Sequence, residues 1–301
     1  MKSTMVRRVA LSIALTAALA GATACNSSDS SGGSGKAGQK GTTRVSPIAA
    51  LRSAERSTDG ADSAKVESTT TMGTLMSMKA DGVMGWADGL TGTMTITYTG
   101  GTLAETMRQT GSTSMQARYL PDAYYARMSD KFAAQSGGKH WIRYGYDDLA
   151  KFGGSSGAYL KDQMQNTTPN QSVKLLLASG DVEKVGAETV RGRSTTHYSG
   201  MVDVADLASK SSNLSASQLA DLKKQLTAAG VTTEKVDIWV DGDDLLVKKV
   251  EKGELTSGTM TSTAYYSDYG TKVSAEEPPT ADTADFKDLL KAQGATGGTT
   301  S

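Results

Sequence analysis

KVDIWVDGDDLLVKKVE runs from Lys235 to Glu251, and its period decides the fold. Val236, Ile238 and Val240 alternate with Asp237, Trp239 and Asp241, the two-residue period of a strand with one dry face and one wet face. Gly242, Asp243 and Asp244 are turn formers, and a second strand follows from Leu245 to Leu255. The stretch therefore predicts a hairpin and, with it, antiparallel sheet. Four aspartates (Asp237, Asp241, Asp243, Asp244) invite a calcium reading. A calcium loop, however, takes about twelve residues with ligands at alternate positions and a closing glutamate, and a hairpin turn accounts for these aspartates better.

The same rhythm extends outward in both directions. Strands are expected at Lys65–Met72, Leu75–Met84 and Thr91–Tyr98, the last placing Met94, Ile96 and Tyr98 on one face and Thr93, Thr95 and Thr97 on the other. Ser114–Leu120 and Ala123–Met128 flank a Pro121-Asp122 turn. His140–Tyr144, Asp181–Val185, Thr195–Val202, Thr259–Tyr269 and a short Lys272–Ala275 continue the series. Helices interrupt it. Ser46 caps one in which Pro47 fits the first turn and Ile48, Leu51 and Ala54 share a face. Val173, Leu176 and Leu177 form the face of a second, ended by Gly180. Ser215–Gly230, with Leu219, Leu222 and Leu226, reads as a third. Roughly ten strands in one sheet must curl. The fold class is α+β: a curled antiparallel sheet, an incomplete barrel, wrapped around a few helices and spanning residues 45–290.

The ends read differently. In residues 1–24, Lys2, Arg7 and Arg8 precede an uncharged run, Val9–Ala24, which is shorter than the about 20 residues of a membrane span and has the form of a secretion signal. Ala22, Thr23 and Ala24 lead into Cys25, an arrangement that resembles a lipobox with Ala22 where leucine is usual. Lipidation of Cys25 would make it the first residue of the mature chain. The plainer alternative, cleavage after Ala24, leaves a free thiol in an oxidising compartment. Residues 25–44 are Ser- and Gly-rich and read as a flexible tether. Residues 291–301 read as a disordered tail.

Composition excludes several functions. Cys25 is the only cysteine, so there is neither a disulfide framework nor a cysteine zinc site. Removal of the signal takes three of 32 basic residues and none of 32 acidic ones. No clustered basic face remains for nucleic acid. His140 and His197, the two histidines, each lie beside an aromatic residue in a strand and read as surface or interface groups. No nucleophile elbow or phosphate-cradling glycine loop occurs. The chain reads as neither an enzyme nor a holder of a cofactor or metal.

Three stretches together, GKHWIRY (Gly138–Tyr144), GDVEKVGAETVRGRSTTHYSGMVDVADL (Gly180–Leu207) and Lys235–Glu251, resemble the actinobacterial LppX/LprG-like lipoproteins of the LolA/LolB-like fold. The resemblance implies a half-barrel with a hydrophobic cavity between the concave sheet and its helices, holding a lipid or lipoglycan. The faces then offer Met94, Ile96, Tyr98, Val236, Ile238 and Val240 from strands, and Leu176, Leu177, Leu222 and Leu226 from helices, as cavity lining. The implied protein is an envelope lipoprotein, anchored to the cell membrane through Cys25 on the extracytoplasmic face. The alternative is a surface-tethered interaction or regulatory module that grips an envelope protein and transfers no lipid.

Overall fold

The computed structural model describes residues 46–135, 137–152, 161, 164, 168–203, 220, 233–256 and 258–296. Helix α1 (Pro47–Asp59) begins at Ser46, whose hydroxyl accepts the Ala49 N–H at 3.2 Å, and buries Leu51, Ala54 and Thr58 on one stripe. A meander follows: β1 (Ser63–Met72), β2 (Met76–Gly85) and β3 (Thr91–Gly100). Then come α2 (Gly101–Gln109), β4 (Ser114–Tyr119), β5 (Ala123–Arg127), α3 (Asp130–Gln135), β6 (Trp141–Gly145) and α4 (Tyr146–Phe152). Helix α5 (Pro169–Ser179) leads to β7 (Glu183–Val190), β8 (Arg193–Asp203), β9 (Thr233–Asp241), β10 (Leu246–Leu255) and β11 (Gly258–Ser267). A short β12 (Thr283–Asp285) and α6 (Phe286–Thr296) end the described chain.

All twelve strands join one sheet in the order β12-β6-β5-β4-β3-β2-β1-β11-β10-β9-β8-β7. Neighbours are antiparallel except β12, which lies parallel to β6. Among the described residues the sheet does not close: β12 and β7 are its edges. In the deciding hairpin, Val236 faces Glu251 and Ile238 faces Lys249, with a bulge between Leu246 and Lys248. Its turn is the Asp/Gly turn expected: the Asp241 carboxylate accepts the N–H groups of Asp243 and Leu245 at 3.1 and 3.0 Å.

The main core lies under α1 and α5, on the concave side of β1 and β8–β11. Leu51, Val173, Leu175, Leu176, Val202, Val236, Ile238 and Leu246 are fully buried there. Each such side chain contributes about 1.5–3 kcal/mol relative to exposure. Close approach is needed at Gly200, where an added Cβ would lie 1.8 Å from the Asp181 carbonyl oxygen and 2.7 Å from Leu176. Only glycine lets the end of α5 settle onto β8.

Several expectations need correction. Among the described residues the sheet has twelve strands rather than roughly ten. Strand β7 runs to Val190, beyond Val185, and turns into β8 through Arg191 and Gly192, both at positive φ (50° and 84°). Both its faces are largely exposed, which erased the alternation that marks a half-buried strand. Lys272–Ala275 forms no strand. Helix α2 was not expected: Ala104 is its one buried residue, so it carries no apolar stripe. Helix α6 continues past the boundary at 290, because Phe286 and Leu289 pack onto the β6 end of the sheet. Residues 1–44, the Ser215–Gly230 helix apart from Ala220, Leu222, Leu226 and residues 297–301 lie outside the described residues.

Candidate functional site

The concave face divides into two unlike halves. Across β2–β6 the register sets Met78 opposite Tyr98, and Ala80 opposite Ile96, which in turn faces Met115. Met94 lies between Gly82 and Ala117, and Tyr119, Tyr124 and Tyr144 form a row over β4, β5 and β6. Every inward position on these strands is uncharged. Small residues (Ala80, Gly82, Ala117, Ala126) make the floor, and Met and Tyr rise around them. At Gly82 a Cβ would sit 2.0 Å from the Thr93 carbonyl oxygen, so the strands approach closely where the sheet bends. Met78, Met94, Tyr98, Met115, Tyr119 and Tyr124 are only half-buried. Met suits a surface that must adapt to varied shapes.

At the β6 end, rings follow one another. Tyr119 and Tyr124 are 5.1 Å apart, Tyr124 and Tyr144 5.7 Å, and Tyr144 and Phe286 of α6 4.7 Å. Burial lifts the phenols of Tyr119 and Tyr144 to about 12 and that of Tyr124 well above its ordinary value. All are neutral at physiological pH. Helix α6 is held over this end by Lys287, paired with Asp148 at 3.2 Å and Asp285 at 3.4 Å.

The other half of the concave face is sealed. Leu176, Val236, Ile238 and Val240 are packed into the core beneath α1, and Leu177 lies at its margin. Within that core stands a polar group. The Lys249 ammonium donates to Ser172 and to Glu251, both at 2.9 Å, and the Ser172 hydroxyl donates to Glu251 at 2.6 Å. Burial lowers the proton affinity of Lys249, but the Glu251 carboxylate more than reverses this and keeps the amine charged. A charged amine cannot serve Ser172 as a base. Glu234 lies beside the pair, 2 % exposed, with one carboxylate oxygen unpartnered. Burial first, then the Glu251 charge, push Glu234 up to about 8.

Thus Met94, Ile96 and Tyr98 lie together on the open half, whereas Leu176, Val236, Ile238 and Val240 lie in the sealed half. Sequence reading missed Met78, Met115 and the row Tyr119, Tyr124, Tyr144, which becomes visible only once strand register aligns their short strands. The Lys249–Glu251 pair did leave a signal. In VKKVE, consecutive lysines must face opposite sides of the sheet, so one of them faces the core. His197 and His140 serve the outer surface. His197 stacks 4.2 Å from Trp239, with Glu188 and Asp237 at 2.9 Å from its two ring nitrogens. His140 lies 2.7 Å from Asp282. Among the described residues, one cavity of about 220 Å³ is lined by Thr95, Met115, Gln116 and Arg127, and another of about 280 Å³ lies beside Tyr125 and Arg143.

These features define an α+β protein with an open sheet whose concave face is part packed core and part uncharged Met/Tyr surface. No family model matches the chain. The chain belongs to a family of Streptomyces proteins that is recognised through two relatives. It is 61% identical to the "Uncharacterized 31.2 kDa protein in rplA-rplJ intergenic region" of Streptomyces griseus, over 86% of this chain and 85% of that one. It is 52% identical to "Putative lipoprotein SCO4650" of Streptomyces coelicolor, over 98% of this chain and 100% of that one. Among solved structures it is similar to the Mycobacterium tuberculosis lipoprotein LppX, at 16% identity and a TM-score of 0.47, over 76% of this chain and 98% of that one.

Proposed function

We propose that the chain is an envelope lipoprotein, lipidated at Cys25 and held off the membrane by the 25–44 tether, whose Met/Tyr surface binds the acyl chains of a lipid or lipid-linked molecule. The observation that carries this reading is the run of uncharged inward positions across β2–β6, capped by Met and Tyr that are only half-buried. A hydrocarbon chain covering them recovers about 0.8 kcal/mol per methylene removed from water. The name of the Streptomyces coelicolor relative supports the lipoprotein part. The sealed half, with its buried Lys249–Glu251 pair, gives the sheet a rigid base, so ligand is expected on the β2–β6 half. Native mass spectrometry of the full chain, released from membranes at low detergent, tests the reading. Copurifying lipid and uptake of a fluorescent acyl probe are expected; an empty protein that also takes up no probe would overturn it.

A further inference from the structure

One end of the uncharged surface carries a hydroxyl with nothing to bond. Tyr146, the first residue of α4, continues the inward series of Ile142 and Tyr144 and packs with them and with Ala126 and Leu149. It is 2 % exposed, and its hydroxyl is buried without a hydrogen-bond partner. Buried hydroxyls are normally paired, and an unpaired one is costly. Phenylalanine would fill the same space without that cost. The phenols of Tyr119, Tyr124 and Tyr144 stand on the same face, in the ring series already described. All are neutral and able to donate.

What surrounds these hydroxyls narrows the ligand. The inward face of β2–β6 has no lysine or arginine to meet an anion and no acid to meet a cation. Charged side chains of β6 and α4 at this end are paired: Arg143 with Asp122 at 2.8 Å, and Asp148 with Lys287 at 3.2 Å. A carboxylate or phosphate placed here would lose its water and gain no counter-charge. A plain hydrocarbon would leave the Tyr146 hydroxyl unpaired. A neutral carbonyl oxygen satisfies both constraints, since it accepts a hydrogen bond and carries no charge.

We propose that Tyr146, with the phenols of Tyr119, Tyr124 and Tyr144 beside it, forms a hydrogen-bonding subsite for the ester carbonyl that joins an acyl chain to its backbone. The proposal rests on the reading of this surface as an acyl-chain site and adds to it a polar selector that prefers esters over ethers and free acids. The test is a competition assay on the full chain, in which dioleoylglycerol, its dialkyl ether analogue and oleate each displace a fluorescent acyl probe. The ester is expected to displace the probe about three- to tenfold more strongly than the ether, the worth of one or two neutral hydrogen bonds, with oleate weakest. Tyr146→Phe should bring the ester down to the ether's level, leave the ether unchanged and melt no lower than the parent. Tyr124→Phe should give a smaller change of the same sign. Equal binding of ester and ether by the parent, or an unchanged ratio in Tyr146→Phe, overturns the subsite and leaves the acyl-chain reading standing. Failure of every lipid to displace the probe, or of the probe to bind, overturns both.

Discussion

Lys249 and Glu251 are two residues apart on one strand, so both must point the same way, and here that way is inward. The Lys249 charge survives burial because Glu251 is its partner, and Ser172 bonds both. Removing one partner leaves the other buried without its counter-charge. Lys249→Met should therefore destabilise the fold by about 3–5 kcal/mol, whereas Lys249→Met combined with Glu251→Leu should recover most of the loss. Denaturant midpoints of both singles and the double check this, and a double mutant no better than the singles would contradict the pairwise account. Part of this was legible in the letters, since alternation placed Val236, Ile238 and Val240 on the buried side. What the letters did not show was the third partner: Ser172 comes from α5, 79 residues before Glu251.

Helix α5 and strands β9 and β10 meet at Glu234, and there the fold binds a proton that the unfolded chain would release. Its pKa rises from the ordinary glutamate value to about 8, through burial and the nearby Glu251. The folded state then holds more protons than the unfolded one between about pH 4.5 and 8, so stability falls as pH rises through that window and levels off above it. The melting temperature should be higher at pH 5.5 than at pH 8.5, and Glu234→Gln should flatten the difference. The exposed carboxylates with lowered values, such as Glu67 beside Arg191 and Asp268 beside Lys65, act at more acid pH. Elements were read with uneven success for a physical reason. α1 has one dry and one wet face, and β9 alternates aliphatic residues with Asp237, Trp239 and Asp241, so both announce their period, although in the fold Asp237 and Trp239 are buried as well. Both faces of β7 are wet, α2 buries a single alanine, and β12 exists only because β6 offers an edge.

At the scale of the whole molecule, an open sheet is rigid where α1 and α5 seal it and uncharged where its Met and Tyr side chains stand half-buried. No helix among the described residues is long and apolar enough to cross a membrane. On our reading, attachment falls to Cys25, and Cys25→Ser should move the protein from the membrane fraction to the soluble fraction. Retention of that variant in the membrane would refute the anchor. The general class, a curled antiparallel sheet over helices, could be read from periodicity alone. The division of its concave face could not, because it depends on which strands the helices cover. The central claim, that the β2–β6 half is the acyl-chain surface, is tested most directly by Met94→Lys, which places a charge between Gly82 and Ala117 at the middle of the floor. Titration of the parent and variant full chains with a fluorescent acyl probe should show saturable binding by the parent and at least a tenfold loss in the variant, while both chains give the same circular dichroism spectrum. Equal binding by the two would contradict the account.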